Sequence, residues 1–138
     1  MSSISSSASN ILLYAVAAAA FAIYVPYLLV AYGRLISDFD LAAPRAMFDR
    51  LPPYAQRATW AHQNSFETFM PFAAAAIIAY VTGVTSPYAE YAAIAFVVAR
   101  LLFSTFYVLN VPPLRSLMFG VGSASTVVLY ALSFVAIS

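Results

Sequence analysis

Two groups of polar residues stand out in a chain that has few of them. Trp60, Gln63, Asn64 and Glu67 follow the spacing i, i+3, i+4, i+7, which puts all four on one face of a helix. Arg57 lies a turn earlier on the same side. The second group is Asn110-Val-Pro-Pro-Leu-Arg-Ser116. Proline is favoured in a first helical turn, where its missing N–H costs nothing. Arg115 and Ser116 are therefore expected in the first turn of a helix, beside free backbone N–H groups and the positive dipole end. That setting attracts an anion such as a carboxylate or a thiolate. Tyr107 stands eight residues before Arg115, one or two turns up the preceding helix. The plainer reading of Arg115 is an arginine that anchors a helix end at lipid headgroups.

The elements that hold these groups follow from composition. Of 138 residues, 64% are hydrophobic and 8% are charged, against about 25% charged in soluble domains. The mean hydropathy is +0.88. Disordered chains are polar and charged, so disorder is excluded. A net charge of +1 without any lysine argues against nucleic acid as a partner. The absence of cysteine removes disulfides, thiolate metal sites and cysteine nucleophiles, and one histidine is too little for a metal centre. Residues 1–33, 68–89 and 116–138 carry no charge. A span needs roughly 20 apolar residues. The stretch Pro87–Asn110 is apolar except for Arg100, between the turn signals Ser86-Pro87 and Pro112-Pro113. The expected architecture is an all-α integral membrane four-helix bundle in one domain over 1–138, with helices at about 10–36, 54–83, 87–110 and 113–137. The start MSSISSSASN has no positive region, so the first span reads as a helix and not as a signal peptide.

The second helix is about 43 Å long at helical rise, more than the hydrocarbon requires. Its first turns, with the polar face, then project into the interface. Pro71 lacks the N–H that would bond the Glu67 carbonyl, which predicts a loosened turn. Glu67 and Arg100 each lie roughly 21–22 Å from the turn joining their helices. A charge at that depth requires a partner, so the two are expected to pair, within one chain or across a subunit boundary. Structural glue between helices is the alternative for both. The runs Ala17–Ala20 and Ala73–Ala76 are small-residue packing surfaces. Arg34, Arg45, Arg50, Arg57 and Arg115 all fall on the side of loops 1–2 and 3–4. The positive-inside rule puts those loops in the cytoplasm and both termini on the opposite side.

The segment Trp60-Ala-His-Gln-Asn-Ser-Phe-Glu-Thr-Phe-Met-Pro-Phe72 resembles the helix-2 signature of the MAPEG superfamily, the membrane-associated proteins in eicosanoid and glutathione metabolism. Its form A-H-x-N-x-x-E-T-x-x-P-F is nearest the microsomal prostaglandin E synthase and microsomal glutathione S-transferase 1-like branch. Arg100-Leu-Leu-Phe-Ser-Thr-Phe-Tyr107 and Leu114-Arg-Ser-Leu117 look like the family's helix 3 and the start of its helix 4. The resemblance covers about residues 24–122.

The resemblance implies a homotrimer with glutathione bound between subunits near the cytoplasmic face. On the matching positions, Arg115 would stabilise the glutathione thiolate with Ser116 beside it. Arg34, His62, Asn64, Glu67 and Tyr107 would contact the cofactor, with Arg57 and Arg100 assigned to the same binding set. Trp60 stands where many members have a glutathione-binding arginine, and Gln63, Phe103 and Phe119 also depart from the synthase-like form. Losing two cations from helix 2 weakens capture of the glutathione carboxylates, for which Arg57 compensates in part. The expected activity is a glutathione-dependent transferase or peroxidase acting on a lipophilic small-molecule substrate from the bilayer. The competing expectation is a non-catalytic protein on the same scaffold that binds lipid or a partner. A small transporter or channel fits less well, because helix 4 has no ionisable residue after Arg115.

Overall fold

The computed structural model describes residues 8–138. Four α-helices run in order: α1 (Ile11–Leu35), α2 (Pro53–Val81), α3 (Pro87–Val108) and α4 (Pro112–Ile137). A 3-10 helix over Pro44–Arg50 lies between α1 and α2, so there are five helical elements where four were expected. The extra one forms where the chain had read as loop. Asp40 accepts from the N–H groups of Ala42 and Ala43 at 3.0 and 3.2 Å, and Pro44 opens the turn. Met47 is then buried beneath it. Among the described residues there is no strand.

Proline starts three of the α-helices, α2, α3 and α4, as its preset φ favours. Three helices, α1, α3 and α4, are long and apolar enough to cross a bilayer. α2 is the longest, at 29 residues, but falls outside that class. The cause is its polar first half, where Gln56, Arg57, His62, Gln63, Asn64 and Glu67 dilute the apolar content. This matches the sequence reading of α2 as a helix whose first turns are polar and whose second half is apolar.

The division of α2 organises the bundle. Its second half supplies Phe72, Ala75, Ala76 and Ala79 to a buried core with Leu12, Ala15 and Ala19 of α1, Ala92, Ala93 and Phe96 of α3, and Leu129 of α4. The Phe72 and Phe96 rings stack at 3.7 Å. The alanine runs are therefore partly consumed inside one chain, where small side chains let helices approach closely. α2 remains one helix through Pro71, and the Tyr130 hydroxyl donates to the Pro71 carbonyl at 3.1 Å. Toward the other end, Gly33 of α1 faces α2 so closely that a Cβ there would lie 2.6 Å from the Cβ of Ala55.

The α3–α4 connection is short. Asn110 adopts the left-handed conformation, φ 59°, a role asparagine fills after helix ends. The N–H of Val111 reaches back to the Phe106 carbonyl at 2.9 Å. The chain turns within these residues, and α4 begins beside the end of α3.

Candidate functional site

The polar half of α2, the end of α3 and the start of α4 come together at one end of the bundle. Arg57 fixes this arrangement: its Nε donates to the Val108 carbonyl, the last of α3, at 2.9 Å. A cation there also opposes the negative end of the α3 dipole. Arg57 thus ties α2 to α3, and its Nε is not free to replace the charge missing at Trp60.

Trp60, Gln63, Asn64 and Glu67 share one face, as their spacing requires, and with Tyr107 of α3 line an open cavity of about 420 Å³. Farther along α2, Asn64 and Glu67 also line a second cavity, about 350 Å³, with Arg100, Phe119 and Thr126. To the other side, Trp60 and Gln63 border a third, about 820 Å³, with Tyr27 and Arg34 of α1, Arg45, Phe48 and His62. Trp60 sits at the boundary, its ring centroid 5.5 Å from Phe48 and 6.4 Å from Tyr107.

Tyr107 is also the contact point for α4. The Arg115 guanidinium carbon lies 4.5 Å from the centre of the Tyr107 ring, a cation–π contact. Ser116 is exposed on the same turn. The expected row of free backbone N–H groups is thinner than the sequence reading held. Pro112 and Pro113 have none, and the Arg115 N–H is bonded to the Val111 carbonyl at 3.1 Å. Positive charge at this helix start therefore rests mainly on the Arg115 side chain.

Arg100 is 4% exposed. Its Nη2 donates to Asn64 Oδ1 at 2.9 Å and to Ser65 Oγ at 3.4 Å, while its guanidinium carbon lies 4.0 Å from the Phe103 ring centre. Nε and Nη1 are buried without a hydrogen-bond partner. The expected Glu67–Arg100 ion pair does not form within the chain. Glu67 is exposed, one turn on, and receives the Asn64 Nδ2 at 3.4 Å. Asn64 therefore stands between the two charges. Ser65, not singled out in the sequence, completes the Arg100 contact. Its signal was its place beside Asn64, on the α2 flank that faces α3.

His62 joins α2 to α1. Its Nδ1 lies 2.7 Å from the Ile23 carbonyl, which only accepts, so Nδ1 carries a proton and donates it. Tyr27 and Phe66 centroids each lie 5.1 Å from the imidazole. Arg34 lines the large cavity with His62, and its Nε is buried without a partner.

A family model described as the MAPEG family matches residues 11–135, almost the whole chain. The chain belongs to the MAPEG family. No curated protein and no solved structure gives a match of comparable standing. MAPEG membership accounts for the membrane-capable helices and is consistent with glutathione-related chemistry at a membrane. All nine site residues of the sequence reading, Arg34 to Ser116, lie inside the MAPEG match. The fold brings Asn64, Glu67 and Tyr107 to one cavity of the MAPEG bundle and rests Arg115 on the Tyr107 ring, with Ser116 exposed on the next position. Arg34 and His62 lie across Trp60, Arg57 is tied to the end of α3, and Arg100 borders the neighbouring cavity with Asn64 and Glu67.

Proposed function

We propose that this chain is a glutathione-dependent membrane transferase or peroxidase of the microsomal prostaglandin E synthase and glutathione S-transferase 1-like branch, working as a homotrimer on lipophilic electrophiles or lipid hydroperoxides. The observation that carries the reading is the position of Tyr107. One ring lines the cavity of Asn64 and Glu67 and also supports Arg115, so two motifs separated in sequence meet at one side chain.

The residues fit the tripeptide's chemistry. Glutathione has two carboxylates, an ammonium and a thiol. Arg34 is a cation for a carboxylate, Glu67 is an acceptor for the ammonium, Asn64 and Gln63 are amides for the peptide groups, and Arg115 is left for the thiol. The unpartnered Nε of Arg34 is a buried donor in want of an acceptor. The cavity of about 420 Å³ lies within the roughly 300–1,000 Å³ of small-molecule sites.

Glutathione supplies a thiol whose thiolate attacks an electrophilic carbon or reduces a peroxide. A free thiol has a pKa near 8.5, lowered by an adjacent arginine or helix N-terminus. Arg115 is the fixed charge for that task, held against Tyr107 by the Asn110 turn. Ser116, exposed beside it, offers a hydroxyl donor. Trp60 carries the second reading. Its ring bridges Phe48 and Tyr107 where a cation would favour a carboxylate, which supports a non-catalytic scaffold that binds lipid or a partner.

One experiment separates the two. Purified protein in detergent is heated with and without glutathione, and conjugation of 1-chloro-2,4-dinitrobenzene is followed with chloride as the leaving group. The reading expects a rise in Tm with glutathione, as binding to the native state requires, and measurable conjugation. Neither effect would leave the scaffold alternative. The trimer is checked by light scattering of the detergent complex, against a chain mass of 14.9 kDa.

A further inference from the structure

We infer that Arg100 is a positioning residue: it acts through Asn64, turning that amide so that it offers donors to the ligand. The inference rests on the functional reading above and assigns a role within the same site.

An arginine has only donors. The Asn64 atom that faces Arg100 Nη2 at 2.9 Å is therefore the amide oxygen, and the NH₂ group must take the opposite direction. That direction holds the Glu67 carboxylate, 3.4 Å from Nδ2, and the open cavity that both residues line. Arg100 borders the second cavity, but its guanidinium is closely covered. The residue is 4% exposed, its Nε and Nη1 are inaccessible, and Phe103 covers its guanidinium. Ser65 steadies the contact from below: its Oγ donates to the Ala61 carbonyl at 2.8 Å and accepts from Arg100. The guanidinium thus reaches the cavity of Trp60, Gln63 and Tyr107, which Arg100 does not line, through the amide it orients. With Arg100 in place, Asn64 presents N–H groups and Glu67 presents oxygens, side by side. A carboxylate or peptide carbonyl beside an ammonium or N–H matches that pair, and the reversed amide would present two acceptors together.

The test uses the full chain in lipid nanodiscs with ¹⁵N-asparagine. The chain has three asparagines, Asn10, Asn64 and Asn110, and the Asn64 side-chain signal is assigned by its loss in Asn64→Ala. Without glutathione, that signal is expected to lie away from the position of a solvated amide. It should move toward that position in Arg100→Met and return part-way in Arg100→Lys. A signal unmoved in Arg100→Met overturns the inference.

Asn64→Asp supplies a second arm that does not depend on Arg100 variants folding. The carboxylate keeps an acceptor for Arg100 but has no donor for the ligand. Its Tm is expected to be no lower than that of the wild type, while glutathione binds at least about tenfold more weakly, the size of a lost hydrogen bond to a charged group. Wild-type affinity in Asn64→Asp would overturn the donor assignment. If glutathione fails to stabilise the wild type while the Asn64 signal still depends on Arg100, the positioning stands and the glutathione reading falls.

Discussion

Tyr107 joins the α2 cavity to the α4 arginine through one aromatic face, so its ring and its hydroxyl have separable roles. Tyr107→Phe keeps the surface on which Arg115 rests, and Tyr107→Leu removes it. A cation–π contact contributes about 0.5–1 kcal/mol at exposed sites and about 2 when desolvated. Conjugation is expected to fall further in Tyr107→Leu than in Tyr107→Phe, and equal losses would refute a supporting role for the ring. Arg115→Ala removes the charge itself. With few backbone N–H groups left at this helix start, no neighbour replaces it. The expected result is a rate loss of at least about tenfold with only a small drop in Tm, since the residue is half-buried and gives up one cation–π contact; full activity in this variant would refute the mechanism. Trp60→Arg runs the opposite way. Trp60 is 43% exposed at the border of two cavities, where a guanidinium has room. One charge-assisted hydrogen bond contributes about 1.5–3 kcal/mol, so titration should show glutathione binding tightened roughly tenfold or more. Weaker binding would place Trp60 itself among the glutathione contacts.

At the scale of elements, two positions hold helices where the site needs them. Gly33 lets α1 lie against α2 at Ala55. Gly33→Ala cannot be accommodated without parting the two backbones, beside Arg34 and its cavity. Overpacking of this kind costs about 1–3 kcal/mol, to be seen as a lower Tm. Asn110 makes the left-handed turn that brings Arg115 over Tyr107. A β-branched residue resists that conformation by about 1–2 kcal/mol, whereas glycine accepts it. Asn110→Val should therefore lose stability and conjugation together, and Asn110→Gly neither. These elements were unequally legible. Charge-free runs and flanking prolines marked the helices, because a bilayer tolerates few charges and proline starts helices readily. The α2 face was legible because i, i+3, i+4, i+7 needs only helical geometry. The 3-10 helix was not, since it depends on Asp40 capping a turn and on Met47 finding cover, neither of which is a periodic signal. Counting residues from a hairpin placed Arg100 within a turn of its partner. Such counting fixes depth but not direction around the helix, and so it chose the exposed Glu67 over Asn64.

The whole molecule has two unlike ends. At one, the core of alanines, Phe72, Phe96 and Leu129 closes the bundle. At the other, the Arg57–Val108 bond brings the start of α2 to the end of α3, so the loop bearing Arg45 and Arg50 and the turn before Arg115 lie together. Every arginine except Arg100 is at or near this end. Between the ends, α1, α3 and α4 expose large apolar side chains such as Phe21, Leu28, Ile94, Val98, Val127 and Phe134, a surface suited to lipid and not to water. We place the arginine-rich end in the cytoplasm on the positive-inside rule. The chain has no cysteine, so single introduced cysteines report sidedness without background. Asp49→Cys marks the α1–α2 connection and Thr85→Cys the α2–α3 turn, and both positions are exposed. In intact spheroplasts of a bacterial host, a membrane-impermeant maleimide should label Thr85→Cys at once and Asp49→Cys only after permeabilisation. The reverse pattern would turn the bundle over. The cavity of Asn64, Glu67 and Tyr107 would then open away from the cytoplasm, and any thiol ligand would have to be supplied from the other side of the membrane.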